Sequence, residues 1–432
     1  MSELKKIAED FEKILAEKKV EKYTYTFSQS EKQELNVENG GFKLMRTVFS
    51  NSGFVKVFEG SRMGSVSGND LSKEGLEKLA TDGILAAQSA QEDPCHDFGP
   101  DQGKDVFRQG VYEPDMGGFL DRVKEFLATV EKEYPKVKIM QAIGSFDRWN
   151  WFSRNTNGTE FEGIGGQYGF SCGISANDGE QTTGIDFFGF SLKDLNTPFI
   201  EMTNVRMHLE NIQRSLDPQP VEGKFEGTVL LTPDCASQFI NMTLYNYAGS
   251  SVIIDGTGLW LEKVGEKVVD ESLTVTLDPF DERIIMGERG TQDGYRSETV
   301  KIIDKGVLKT HLLNLYAANK TGRPMMKNTG SDLVVEPGDK SFEELVKSID
   351  KGLLLGGFSG GQPGANGEFS GVAKNSFLIE NGKIKCAVTE TMVNGNLGEA
   401  LNHIHGISKE LICDGGSVVP YIALDGIVIS GK

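Results

Sequence analysis

The sequence predicts an α+β fold, with helices packed on antiparallel sheet in its first half and mostly strands in its second. Three observations carry this reading. Apolar residues at helical spacing alternate with short strand-like runs as far as Leu216. A double-proline segment, Leu216-Asp217-Pro218-Gln219-Pro220, then breaks the chain. Beyond it, runs of β-branched and aromatic residues are punctuated by Gly-rich turns. The 52 glycines follow no Gly-X-Y period, so they mark turns and bulges.

The elements follow in order. Ile7, Phe11, Ile14 and Leu15 place one face of a helix over residues 3–18. Tyr23 to Phe27 and Phe54 to Phe58, with turn signals at Asn39-Gly40-Gly41 and Glu59-Gly60, read as strands of a meander. Leu76, Leu79, Ala80 and Ile84 predict a second helix over about 70–90. Residues 91–117, rich in Asp, Gly and Pro, read as a connection. The order then recurs. Phe119, Val123, Phe126 and Val130 form a helical stripe, and strand-like runs from Val137 to Phe190 break at Asn157-Gly158 and Asp178-Gly179. A helix after Pro198, with Thr197 as its N-cap, closes the unit. Helix, meander, helix thus occurs twice, the order an ancient duplication would leave. The expected division is 1–95, 96–218 and 221–432.

In the last segment, Gly227 to Leu231 reads as a strand and Thr232-Pro233 as a helix start. Hairpins are expected around Asp304-Lys305-Gly306 and Asn381-Gly382, the latter because Asn-Gly supplies the positive φ of a two-residue turn. Ser341 with Glu344 forms a capping box.

Charge and cysteine usage narrow the function. The net charge is −18, and no dense Lys/Arg run is present, so direct binding to a phosphate backbone is not expected. Cys95, Cys172, Cys235, Cys386 and Cys413 are odd in number and widely spaced, without CxxC, which reads as reduced thiols and a cytoplasmic location. Met1 to Leu15 is charged and amphipathic, unlike a signal peptide. No apolar run approaches the ~20 residues that span a bilayer, so no membrane association is expected.

No His is followed by Glu, so neither HExxH nor HExxxH exists and no helix offers paired imidazoles beside a carboxylate base. No catalytic, cofactor-binding or metal-ligating residue is expected. The alternative metal set is Cys413 with His403 and His405, against the plainer reading of a buried free thiol and two surface histidines near a strand end. GxSxG occurs at Ser171 and Ser359, but neither has the strand-turn-helix context or the ordered acid and His of a nucleophile elbow. No phosphate-binding loop is present. Trp149, Trp151 and Phe152 read as a core-facing strand, with a partner-binding wall as the alternative.

The order of the Gly-rich run Gly356 to Gly371, the Asn381-Gly382 hairpin and the close at Ser430-Gly431 resembles the carboxy-terminal domain of the TldD/PmbA family, also called modulators of DNA gyrase. Val55 to Gly64 with Asp93-Pro94, Gly294 to Lys320, and Ser331 to Asp339 extend the resemblance over most of the chain. It implies a β-rich, barrel-like final domain. It also implies a metallopeptidase pair, in which a TldD-like subunit carries zinc on an HExxxH helix and a PmbA/TldE-like subunit completes the enclosure of an unfolded peptide. The missing motif puts this chain on the PmbA/TldE-like side, where no metal of its own and either a TldD-like partner or a homodimer are expected. In TldD-like members the motif would fall near 233–248, and a Cys ligand near Cys413. The alternatives are a homodimeric modulator of gyrase or of a toxin–antitoxin component acting without proteolysis, and an active peptidase with the Cys413, His403, His405 set.

Overall fold

The computed structural model describes residues 3–330 and 332–431. Met1, Ser2, Ser331 and Lys432, the first residues of two segments named above among them, lie outside the described residues. The fold is α+β and is built on two sheets.

The first sheet holds β1 (Lys22–Glu38), β2 (Gly41–Glu59), β3 (Arg62–Gly68), β4 (Lys104–Gly110), β5 (Val137–Asn155), β6 (Glu160–Ala176) and β7 (Asp186–Leu192) in the order β3-β2-β1-β5-β6-β4, with β7 also on β6. The two helix–meander–helix segments share it, because β1 pairs with β5 from Thr24 to Glu38. Side chains alternate across a strand, so Phe27, Phe152, Phe146 and Phe170 fall on one face. Four helices cover that face: α1 (Glu3–Glu17), α2 (Lys73–Ser89), α3 (Met116–Glu133) and α4 (Val205–Arg214). Phe11 of α1 meets Tyr25 and Phe27 edge-on, and Phe126 of α3 meets Phe170 in the same way.

Three local expectations are corrected. Residues 91–117, expected as a connection, contain β4, which runs parallel to β6 from Lys104 to Gly110. The β1–β2 ribbon is far longer than its apolar runs. Its outer half, Gly41 to Ser52 on β2, is exposed on both faces, so burial imposes no alternation there to be read. The helix expected directly after Pro198, with Thr197 capping it, is a single 3-10 turn at Phe199–Glu201. Thr203 (φ 48°) then interrupts the chain, and α4 starts only after Asn204.

The second sheet holds β8 (Gln219–Pro220), β9 (Lys224–Leu231), β10 (Val275–Leu277), β11 (Val300–Asp304), β12 (Val307–Leu308), β13 (Leu333–Val335), β14 (Lys351–Leu355), β15 (Gly357–Gly360), β16 (Glu368–Lys374), β17 (Phe377–Glu380), β18 (Lys383–Thr389), β19 (Met392–Asn396), β20 (Ile404–Cys413) and β21 (Val418–Ser430). It curls into a half-barrel. Its helices are α5 (Pro233–Ala248), α6 (Ser250–Ile254), α7 (Leu315–Thr321), α8 (Phe342–Ser348) and α9 (Leu397–Asn402). Alternation splits its apolar residues. Val229, Leu231, Ile422 and Leu424 pack with α5, while Leu230, Leu354 and Ala423 pack with α8. The Ser341–Glu344 capping box starts α8, and Asn381 (φ 50°) with Gly382 (φ 70°) turns β17 into β18.

Candidate functional site

Helix α5 occupies the place where a ligand helix would lie. Thr232 precedes it and Pro233 sits in its first turn, where a missing N–H costs nothing. Its inner face, Ala236, Phe239, Ile240, Leu244 and Tyr247, is buried against the second sheet. Several of its polar side chains are engaged locally. Thr243 Oγ1 donates to Phe239 O at 2.8 Å, Asn246 Nδ2 to Gly364 O at 3.1 Å, and Tyr245 Oη to Gly330 O at 3.3 Å. Tyr247 Oη accepts from Gly398 N at 3.1 Å. After its first turn the helix presents amide, hydroxyl, thioether and phenol groups, and no His, Cys or carboxylate. That donor set does not fit a zinc ion.

The Gly-rich segment lies beside this helix. It forms the hairpin β15–β16, with Phe358 and Phe369 both meeting Phe239 edge-on at 5.3 and 5.1 Å. The glycines make room for rings. A Cβ on Gly360 or Gly371 would fall within 2.4–2.5 Å of the Phe358 ring, and one on Gly367 (φ 85°) within 1.8 Å of Tyr247 Oη. Strand β15 pairs only with β16, so its other edge is open among the described residues.

The structure does not bring the alternative metal set together. His403 Nδ1 pairs with Glu399 O at 2.8 Å; His405 Nε2 meets Ser348 Oγ at 2.9 Å and its Nδ1 meets Asp425 at 3.2 Å. Cys413 ends the strand near whose start His405 lies, roughly 18 Å away at ~3.3 Å per residue of the partner strand β21. Its thiol donates to Arg283 O at 3.3 Å, and burial raises its pKa. Among the described residues no group of three or more His, Cys, Asp or Glu is arranged to hold a metal ion.

The two GxSxG serines have no elbow geometry. Ser171 is inside β6 opposite Gly189, and Ser359 is inside β15 with another strand following. Phe152 is buried on the helix face, while Trp149 and Trp151 turn to the other face. There Trp151 lies under Gly163, and Trp149 reaches Gly165 beside Met286.

One cluster escaped sequence reasoning. His208 of α4 is 7% exposed, and its Nδ1 lies 2.7 Å from Asp186 Oδ2 at the start of β7. The other Asp186 oxygen accepts from Asn375 Nδ2 at 2.7 Å, a residue of the second half. His208 Nε2 has no hydrogen-bond partner and lies 3.8 Å from Asp234 Oδ2 in the first turn of α5. Desolvation raises the Asp234 pKa and the nearby Asp414 and Asp186 add to this, while His208 opposes it. These groups line a cleft of about 310 Å³ with Ser171, Phe187, Phe188, Thr203, Asn204 and Ile412. Ser171 cannot join His208 as a nucleophile. It shares the sheet face of Phe187, whereas His208 packs on Phe188, which points the other way. The cluster draws on positions 186 to 375, so no local spacing announces it.

Residues 223–431 match the PmbA/TldA metallopeptidase C-terminal domain. The second half of the chain thus carries a domain of the PmbA/TldD family. It is 24% identical over 407 residues to a metalloprotease of Methanocaldococcus jannaschii, covering 88% of each chain. It is 24% identical over 379 residues to the metalloprotease PmbA of Escherichia coli O157:H7, covering 83% of this chain and 80% of that one. The crystal structure of TldE from Thermococcus kodakarensis superposes with a TM-score of 0.82 at 19% identity, over 98% of this chain and 100% of the other, a likeness of fold.

Proposed function

We propose that this chain is the PmbA/TldE-like subunit of a TldD/TldE-type metallopeptidase. It lacks a catalytic metal and helps to receive unstructured peptides beside a zinc-bearing TldD-like partner. The observation that carries this reading is α5, whose outward positions are taken by Asn241, Met242, Tyr245 and Asn246 in a chain whose relatives are named metalloproteases. A chain that cannot assemble a hydrolytic ion needs another to supply it.

Two surfaces support the reading. The open edge of β15, beside α5, can accept an extended peptide by strand addition, which takes main-chain hydrogen bonds without regard to sequence. The outer part of β2, unpaired by β3 from Gly41 to Ser52, carries Phe42, Leu44, Met45 (65% exposed), Val48 and Phe49 (74% exposed). An apolar strand edge of roughly 40 Å, at ~3.4 Å per residue, is a liability for a lone molecule, and we assign it to the homologous subunit. The five cysteines are unpaired, which fits a cytoplasmic protein.

The test is to mix the purified chain with an HExxxH-bearing homologue. The expected result is association, and cleavage of an unfolded peptide by the mixture alone that chelator abolishes. Failure to associate, or full cleavage by the homologue by itself, overturns the proposal.

A further inference from the structure

The acidic cleft between the two halves combines features of a built ligand site. His208 Nδ1 bonds Asp186, and its Nε2 is buried without a hydrogen-bond partner and faces Asp234. Asp186 is itself fixed by Asn375 and by Phe187 N, which sets the ring in one orientation. Asp234 has a side chain 62% exposed, and Asp414 adds a second carboxylate. No Lys or Arg lines the cleft among the described residues. On the same wall Asn204 Nδ2 is buried without an acceptor, its Oδ1 being taken by Thr203 Oγ1 at 3.3 Å. Phe187 stands 67% exposed at the mouth.

We propose that this cleft binds the α-amino end of a peptide. An ammonium group carries three donors and a positive charge, matching the Asp234 carboxylate, the Asp414 charge and the unpartnered His208 Nε2, which accepts in the tautomer protonated on Nδ1. The first carbonyl oxygen of the peptide supplies the acceptor that Asn204 Nδ2 lacks. A lysine side chain brings the same ammonium without a carbonyl two bonds away, so it satisfies only part of the site. A metal ion is matched less well, since one imidazole and one carboxylate leave most of its coordination open. The inference rests on the peptide-receiving reading above. Its test uses this chain alone, so its failure is distinct from failure of the pair to associate or cleave.

The experiment is calorimetric titration of the purified chain with Phe-Ala-Ala-amide, its N-acetyl twin, and N-acetyl-lysine methylamide, each with and without EDTA. The free-amine tripeptide is expected to bind at least 10-fold more tightly than either of the others, unaffected by EDTA. Asp234→Asn, at an exposed side chain, is expected to weaken it at least 10-fold with the thermal midpoint preserved. Equal affinity for the two tripeptides, or no binding of any probe, overturns the proposal. So does equal binding of the lysine derivative, which would assign the site to side-chain ammonium, or loss of binding in EDTA, which would assign it to a metal.

Discussion

The Phe358 ring lies where a side chain on Gly371 would have to sit, with Cε2 only 2.5 Å from the position of the missing Cβ. The Gly360 backbone, 2.8 Å from the same point, closes the other side. A Cβ there would meet the ring and the Gly360 backbone together, so rotating the ring alone does not make room for it.

Gly371→Ala is accordingly expected to destabilise the protein by about 1–3 kcal/mol, the range for overpacking a close-packed interior. Gly361→Ala, where nothing lies within 4 Å, is the control and should change stability by less than about 0.5 kcal/mol. Chemical denaturation of the two variants checks this. Equal effects would mean that the clash with the ring and the Gly360 backbone is not what costs stability.

Arg154 joins α1 to the first sheet, with Nη1 2.8 Å from Glu12 Oε2 and Nη2 bonded to Glu160. Burial pushes the Glu160 pKa up, but the hydrogen bonds from Arg154 and Lys104 outweigh it and the net shift is downward. A carboxylate with a depressed folded pKa stabilises fully above its unfolded value, about 4.3, and the contribution fades as pH falls through the lower folded value. Glu160→Gln should therefore cost about 1–3 kcal/mol at pH 7, with the gap from the native chain narrowing below about pH 4. Urea melts at both pH values measure it. A gap independent of pH would remove the charge from the explanation.

Burial raises the thiols of Cys172 and Cys235 to about 12. At pH 8 only about one in 10⁴ is then a thiolate, the reactive form. Iodoacetamide followed by mass spectrometry should leave both unlabelled in the folded chain and label both in denaturant. Rapid labelling of either before unfolding would contradict the packing of β6 or α5.

The exposed β2 edge gives a separate test of partnership. Met45→Glu with Phe49→Glu should leave the thermal midpoint within a few degrees, since surface changes rarely exceed about 0.5 kcal/mol. The same pair should abolish association with the TldD-like homologue in size-exclusion chromatography. Unchanged association would move the interface elsewhere.

Much of the secondary structure was legible because local chemistry decides it. The stripe of Ile7, Phe11 and Leu15, the Ser341–Glu344 box and Asn381-Gly382 each carry their cause within a few residues. The outer β1–β2 ribbon was not, because a strand solvated on both faces needs no alternation. Thr203 in the left-handed region defeats a helix start that Thr197-Pro198 would otherwise signal. At the candidate site the composition of α5 was readable, since its residues are contiguous in the chain. The His208–Asp186–Asn375–Asp234 cluster was not, since only folding brings four distant segments to one wall.

The register of β1 against β5 has a consequence for anyone dissecting the molecule. A fragment cut at residue 95 would leave β1 bare along fifteen consecutive ladder positions, Thr24 to Glu38. Its other neighbour, β2, already ends in an uncovered border. Such a piece is a two-sided template for fibrous self-association, so the amino-terminal 218 residues are the smallest portion worth producing in isolation.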